Sequence, residues 1–173
     1  MRFSLDTVPS PIGAILIVTD ESSLRALDFA DHADRMHRLL RAHYGERVEL
    51  REQRERIGVR ERLDAYFAGD LQAIVDVPTR TEGTPFQRAV WNAMRAIPPG
   101  TTTTYGQLAR ALGMPKAARA VGLASGANPI AIVVPCHRVI GADGALTGYG
   151  GGISRKTWLL HHEGQLELAN ALA

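Results

Sequence analysis

The sequence predicts a mixed α/β (α+β) protein of two small domains: a small sheet with helices over residues 1–80, then a mainly helical half over residues 84–173. Three observations predict it. Residues 1–29 alternate polar and apolar around Pro, Gly and Ser-rich turns, as short paired strands do. From residue 84 onward, capping signals repeatedly open apolar-striped helical segments. The charge also changes sign between the halves. Residues 1–83 hold 12 Lys and Arg against 15 Asp and Glu, a balance of −3, whereas residues 84–163 hold 8 against 2, a balance of +6.

Residues 2–8, 14–18 and 24–29 read as three strands of an antiparallel meander, with turns at 9–13 and 20–23. Met36, Leu39, Leu40 and Tyr44 share one helical face that Gly45 stops, and Val59, Leu63, Tyr66 and Phe67 share another that Gly69 stops. The charged span 46–56 between them reads as a solvated linker or helix extension, and 73–77 as a further strand. Residues 78–83 read as the domain connection. The second half opens with Thr84-Pro85-Phe86-Gln87, a capping box with proline at the first helical position. Phe86, Val90, Ala93, Met94 and Ile97 keep one face apolar until Pro98-Pro99-Gly100. Thr104-Tyr105-Gly106-Gln107 supplies a second capping box for a short helix, and Gly113-Met114 turns the chain. Pro115 then starts a helix of mostly small residues running to Ser125, with Gly122 in its middle at a cost of about 1 kcal/mol relative to alanine. Helix, tight turn and helix fit a helix-turn-helix whose second helix approaches a negatively charged surface through Lys116 and Arg119. The same pattern fits an αα-hairpin in a core equally well. A glycine-rich loop over 141–152 precedes a final helix over 154–162, and residues 165–173 read as a frayed end.

The composition, 45% hydrophobic and 22% charged, is that of an ordinary globular chain. A single cysteine excludes an internal disulfide framework and a thiolate-cluster metal site. No apolar stretch approaches the roughly 18 residues that cross a bilayer. The first residues, Met1 to Asp6, carry an acid where a secretory signal would be apolar, so a cytoplasmic, reducing location is expected.

That one cysteine lies in Pro135-Cys136-His137-Arg138-Val139-Ile140, after the apolar run Ile130-Ala131-Ile132-Val133-Val134. A thiol is nucleophilic as its thiolate, which nearby positive charge or a base favours. The apolar run carries the thiol to a shielded place and Pro135 fixes the backbone as it arrives. Cys-His alone leaves a reactive thiol and an inert buried one equally open.

The six residues from Pro135 to Ile140 resemble the active-site motif of the O6-alkylguanine-DNA alkyltransferases, also called methylated-DNA–protein-cysteine methyltransferases. Further stretches resemble that family in order and spacing: Thr104-Tyr105-Gly106-Gln107-Leu108-Ala109, Ala117-Ala118-Arg119-Ala120-Val121-Gly122, Asn128-Pro129, Gly148-Tyr149, and Trp158-Leu159-Leu160 with His162-Glu163-Gly164. The resemblance implies a ribonuclease-H-like N-terminal domain and a helical C-terminal domain holding the helix-turn-helix and the reactive cysteine. It implies DNA repair by irreversible transfer of an alkyl group from guanine O6 to Cys136, once per molecule, after nucleotide flipping. O4-alkylthymine is a second candidate lesion. The implied partner is double-stranded DNA containing alkylated guanine, met in the minor groove, with a monomeric protein, cooperative clustering on DNA as a further option, and no membrane, cofactor or metal.

The same resemblance assigns roles residue by residue. Cys136 is the acceptor, His137 its base through a water, and Glu163 the acid that orients the imidazole. Tyr105 assists the departing base, and Asn128 ties the recognition helix to the cysteine turn. Arg119 is the finger that fills the space vacated in the duplex, on a helix whose Lys116, Ala118, Ala120 and Gly122 also face DNA together with Tyr105. Val139, Tyr149, Gly150, Gly151, Trp91 and Pro135 surround the flipped base. Arg138 reads equally as a structural ion-pair partner and as a catalytic group, and for Lys156 a phosphate or pocket contact is the lesser reading. Zinc-binding cysteines found in some relatives are absent, so no zinc is expected. Gly150 stands where some relatives have serine, which points to tolerance of bulkier alkyl groups. The alternative reading is a non-catalytic alkylated-DNA-binding protein; against it stands the presence of Cys136. An alkylation-sensing regulator and an unrelated Cys-His hydrolase are further readings.

Overall fold

The computed structural model describes residues 1–164 and resolves them into two compact units: Met1–Gly83 together with Pro129–Val133, and Thr84–Asn128 together with Val134 onward. The expected frayed end at 165–173 lies outside the described residues.

The first unit is a four-stranded sheet in the order β3-β2-β1-β4, built from β1 (Arg2–Val8), β2 (Ile15–Thr19), β3 (Leu24–Phe29) and β4 (Glu49–Glu52). The first three strands form the antiparallel meander, while β4 runs parallel to β1 with Phe3 opposite Leu50. Helix α1 (Ala33–Tyr44) lays Met36 and Leu40 on Phe3, Val18 and Ala26. Helix α2 (Val59–Phe67) buries Val59, Leu63 and Tyr66.

Two expectations fail here. The span 46–56 is neither linker nor helix extension. It contains β4, which pairs through backbone groups that its charged side chains do not disturb. Glu55 then turns inward, its carboxylate accepting from the amides of Ile57, Gly58 and Arg60 at 2.7–3.0 Å and so satisfying the open N-terminus of α2. Residues 73–77 are a series of turns closed by i→i+3 bonds, such as Ala73 N to Asp70 O, and not a strand. The true sheet neighbours of β3 lie elsewhere. Its outer edge is bonded by Pro78 O and Arg80 N at Leu24, and by Pro129 O and Ala131 N at Leu27. A sheet edge that would otherwise be open is therefore covered. Residues 129–133 belong to this first unit, a departure from the single continuous second half expected over 84–173.

The second unit holds α3 (Pro85–Arg95), β5 (Thr103–Thr104), α4 (Tyr105–Ala111), α5 (Ala118–Gly126), β6 (Val139–Ile140) and α6 (Ile153–His162). Both capping boxes form completely, at Thr84 with Gln87 and at Thr104 with Gln107. Helix α5 begins at Ala118, three residues after Pro115, because Pro115 and Lys116 are spent in a turn closed by Ala117 N to Met114 O. Lys116 therefore precedes the helix. Strands β5 and β6 pair in parallel, Thr103 with Val139 and Thr104 with Ile140. This ties the entry to α4 directly to the exit from the cysteine segment.

Candidate active site

The cysteine segment is made of three consecutive tight turns. Val133 N bonds Ala131 O at 2.8 Å across Ile132, a buried β-branched residue held at φ +70°. Such a γ-turn is rare and strained, and it persists only where the surroundings dictate it. Cys136 N bonds Val134 O at 2.8 Å across Pro135, whose φ of −83° and ψ of 66° make an inverse γ-turn that the pyrrolidine ring favours. A 3₁₀ turn, Cys136–Arg138, then closes with Arg138 N on Pro135 O. Asn128, just past the end of α5, donates its Nδ2 to Val134 O at 2.8 Å and is itself buried. The carbonyl before Pro135 is thus fixed from two sides, and the thiol arrives only 8% exposed.

Behind the cysteine lies a closed electrostatic cluster. Glu163 caps α6, where a carboxylate faces the negative end of the helix dipole and needs a partner. Arg138 supplies it in a two-pronged bond, Nε to Oε1 at 2.8 Å and Nη2 to Oε2 at 2.7 Å, while Nη1 donates to Ile97 O. Burial raises the proton affinity of Glu163, but the Arg138 hydrogen bonds and the His137 contact outweigh it and hold the carboxyl well below the usual range. An ionised carboxylate only accepts. The 3.0 Å contact between His137 Nε2 and Glu163 Oε1 therefore fixes the proton on Nε2. In the neutral ring Nδ1 is then the acceptor, and it has no hydrogen-bond partner among the described residues. Burial holds the imidazole neutral by lowering its proton affinity; Glu163 opposes that shift and Arg138 and Lys156 reinforce it.

The helix-turn-helix flanks a groove of about 540 Å³ lined by Tyr105, Gly106, Ala118, Arg119, Gly122, Leu123, Ala142, Thr147 and Gly148. Arg119 and Ala120 are exposed on α5. Tyr105 opens α4, and its hydroxyl donates to Thr147 O at 3.2 Å. Burial raises its proton affinity, and the nearby cysteine adds to this. A Cβ on Gly122 would lie 3.9 Å from the Tyr105 ring, an ordinary contact, so nothing inside the protein demands glycine there.

Neither Cys136 nor the residues expected around the flipped base, Pro135, Val139, Trp91, Tyr149, Gly150 and Gly151, are among those that line this groove. Trp91 is 2% exposed and donates its indole N–H to Ala124 O at 2.9 Å, joining α3 to α5 well inside the unit. Tyr149, Gly150 and Gly151 do not line the groove; the loop contributes Thr147 and Gly148 instead. Val139 is buried and presents its carbonyl to Lys156. Lys156 neither reaches phosphate nor lines the groove. Its side chain is fully buried, Nζ donating to Val139 O at 2.7 Å and Thr147 O at 3.0 Å, and burial pushes its pKa down to about 8 against the favourable influence of Cys136. Arg138 is buried, its guanidinium held by Glu163 and Ile97 O.

One contributor, Gly100, was missed at the level of residue patterns, and the ion-pair reading of Arg138 was left level with a catalytic one. Arg138 had a signal: Glu163 is one of only two acids in residues 84–163, so a buried carboxylate there has to find one of eight cations. Gly100 had none. It sits at φ +83°, and a Cβ would come within 3.0 Å of the Glu163 carbonyl, so the turn after α3 abuts the backbone that carries the acid. Among the described residues no group of three or more His, Cys, Asp or Glu is arranged to hold a metal ion, and no helix is long and apolar enough to cross a membrane.

Comparison with known proteins matches two family descriptions in tandem. Residues 5–81 match "6-O-methylguanine DNA methyltransferase, ribonuclease-like domain" and residues 85–165 match "6-O-methylguanine DNA methyltransferase, DNA binding domain". The methylated-DNA–protein-cysteine methyltransferase of Salmonella typhimurium is 52% identical, across 97% of this chain and 99% of the relative. That of Methanosarcina acetivorans is 48% identical across 90% and 94%. The crystal structure of Mycobacterium tuberculosis OGT in complex with DNA superposes with a TM-score of 0.78 at 43% identity, covering 95% of this chain and 98% of that one.

Proposed function

This chain belongs to the 6-O-methylguanine DNA methyltransferase family, and we propose that it repairs DNA by moving an alkyl group from guanine O6 onto Cys136, once per molecule. The single observation that carries the mechanism is the orphaned Nδ1 of a neutral, fully buried His137, adjacent in sequence to Cys136 and backed by an ionised Glu163. That nitrogen is a base with its lone pair unspent. In the transfer, the thiol proton passes to Nδ1 through a bridging water, and the imidazolium so formed is stabilised by Glu163. The thiolate sulfur attacks the alkyl carbon, a C–S bond forms as the C–O bond breaks, and the electron pair leaves on the guanine. Tyr105, whose hydroxyl keeps its proton to high pH, turns it from Thr147 O to the departing base, which needs that hydrogen bond. The product is a thioether with no route back to the thiol.

The lesion reaches the thiol by extrusion from the stack. Arg119, exposed on α5 and lining the groove, is the group we assign to fill the vacated space, and the small residues Ala118, Ala120 and Gly122 around it permit close approach to a minor groove. Asn128 acts through the Val134 carbonyl as a positioning residue for the cysteine turn. A thiol that must stay reduced until used fits the cytoplasm or another reducing compartment.

The test is intact mass after incubation with duplex DNA containing O6-methylguanine. A gain of one methylene per chain, absent in Cys136→Ser, is expected. DNA binding without any gain in mass would replace this reading with that of a non-catalytic lesion-binding protein.

A further inference from the structure

The exposed face of α5 carries one side chain that does not fit a helix made for close approach. Along that face run Arg119, Ala120, Leu123 and Gly126, while Val121, Ala124 and Ser125 point into the unit. Leu123 is 71% exposed, the most exposed large hydrophobic side chain among the described residues. An isolated exposed leucine is common and usually means nothing. This one sits four residues after Arg119, one helical turn along the same face, and both line the groove beside Tyr105 and Gly148. Lys116 in the preceding turn adds positive charge at the same end of the helix.

We propose that Leu123 is an apolar wedge that enters the minor groove beside Arg119 and unstacks a base step next to the one the arginine occupies. The proposal rests on the DNA-repair reading above. Four residues of helix advance about 6 Å, more than one and less than two base-stacking intervals of about 3.4 Å, so an arginine and a leucine in this register meet nearby steps and not the same one. The division of labour follows from chemistry. The guanidinium replaces the hydrogen bonds lost when a nucleotide leaves the stack. An apolar side chain of leucine size has no such bonds to offer, but it loses contact with water and gains contact with sugar and base faces as the step opens, as wedge residues of minor-groove proteins do. Flanking Ala120, Gly122 and Gly126 leave it standing clear of its neighbours. Occupancy by DNA, and not by another apolar surface, is favoured by the cations on the same face and by the Mycobacterium tuberculosis relative, 43% identical, solved in complex with DNA.

The experiment compares wild type, Leu123→Ala and Leu123→Met on a duplex carrying 2-aminopurine at the step beside an O6-methylguanine. Duplex affinity is followed by anisotropy, unstacking by 2-aminopurine emission, and alkyl transfer by mass, with free O6-benzylguanine as the substrate that needs no duplex. Leu123→Ala is expected to weaken duplex affinity about tenfold and to lose most of the emission rise. Its loss of transfer on duplex should exceed its loss on free base by a similar factor, and Leu123→Met should restore both binding and emission. Alanine is at least as good a helix former as leucine, so an unchanged melting temperature would exclude a folding defect as the cause. Unaltered affinity and emission in Leu123→Ala would overturn the wedge. A wild-type chain that binds and unstacks duplex but gains no mass would sink the transfer reading while leaving the wedge comparison valid. One that binds no duplex would sink both.

Discussion

At the scale of single residues, the chemistry depends on which of three buried groups holds charge. Arg138 and Glu163 neutralise each other in a two-pronged pair, and burial leaves His137 uncharged with its basic nitrogen unspent. Removing one member of a buried pair strands the other, which costs about 3–5 kcal/mol. Arg138→Ala should therefore lower the urea midpoint by that equivalent, whereas Glu163→Gln, which keeps the shape and a hydrogen-bond acceptor for His137, should cost less. A larger loss in the glutamine variant would contradict this ordering. The pH dependence has a definite sign. His137 is held neutral in the fold but titrates near its ordinary 6.5 when unfolded, so the stability of keeping it neutral is present above 6.5 and is lost as pH falls below it. Glu163, held down by Arg138, adds a loss of the same sign at lower pH. Lys156 has its folded pKa near 8 against an ordinary 10.5, so stability still rises with pH between those values. Urea midpoints taken from pH 5 to 10 should show His137→Gln flattening the acid limb and Lys156→Met flattening the alkaline rise. A variant that leaves its limb unchanged would show that its group does not titrate as described.

At the scale of elements, what was legible in the sequence was local. Both capping boxes declare themselves in four residues each, because cap and partner are held by bonds within one helical turn. The meander was legible because its pairings are sequential. Strand β4 was not, since its charged side chains hide an edge strand that pairs with β1, more than forty residues earlier. Nor were β5 and β6, two residues each and meaningful only once folded. For α5, the rule that proline opens a helix gave way to a turn, so Lys116 moved off the helix that its position had suggested. In the candidate site, the contact of Glu163 with His137 was legible through resemblance to a family, but the carbonyl partners of Trp91 and Lys156 were not. An indole or an ammonium reads the same in sequence whether it faces a ligand or a backbone carbonyl. Thr104 joins these levels, capping α4 through its side chain while its backbone pairs with Ile140 in β6. Thr104→Ala should cost about 1 kcal/mol of stability, read as a shift in urea midpoint. Gly122→Ala should do the opposite, gaining up to about 1 kcal/mol, because its Cβ meets only an ordinary contact. It should nevertheless slow repair of duplex DNA, since the added methyl group stands in the groove.

At the scale of the whole molecule, the division of charge between the halves overstates what DNA can feel. Residues 84–163 carry eight Lys and Arg. Two of these, Arg138 and Lys156, are buried and committed to Glu163 and to backbone carbonyls, which leaves six that a phosphate can meet. Each phosphate neutralised contributes about −0.9 to the slope of log affinity against log salt. The slope for duplex binding should therefore not exceed about 5 in magnitude, and Lys116→Ala should reduce it by about 0.9. Reaction with free O6-benzylguanine, which has no phosphate, should show almost no salt dependence in either protein. The comparison separates two ways in which this chain can use its positive half. If charge mainly steers the duplex, salt will depress repair of DNA in proportion to binding and leave the free-base reaction alone. If the cations instead tune the thiol, both substrates will lose rate together as salt rises. The burial of Arg138 and Lys156 predicts the first outcome, because the cations nearest the chemistry are those that dissolved ions cannot reach.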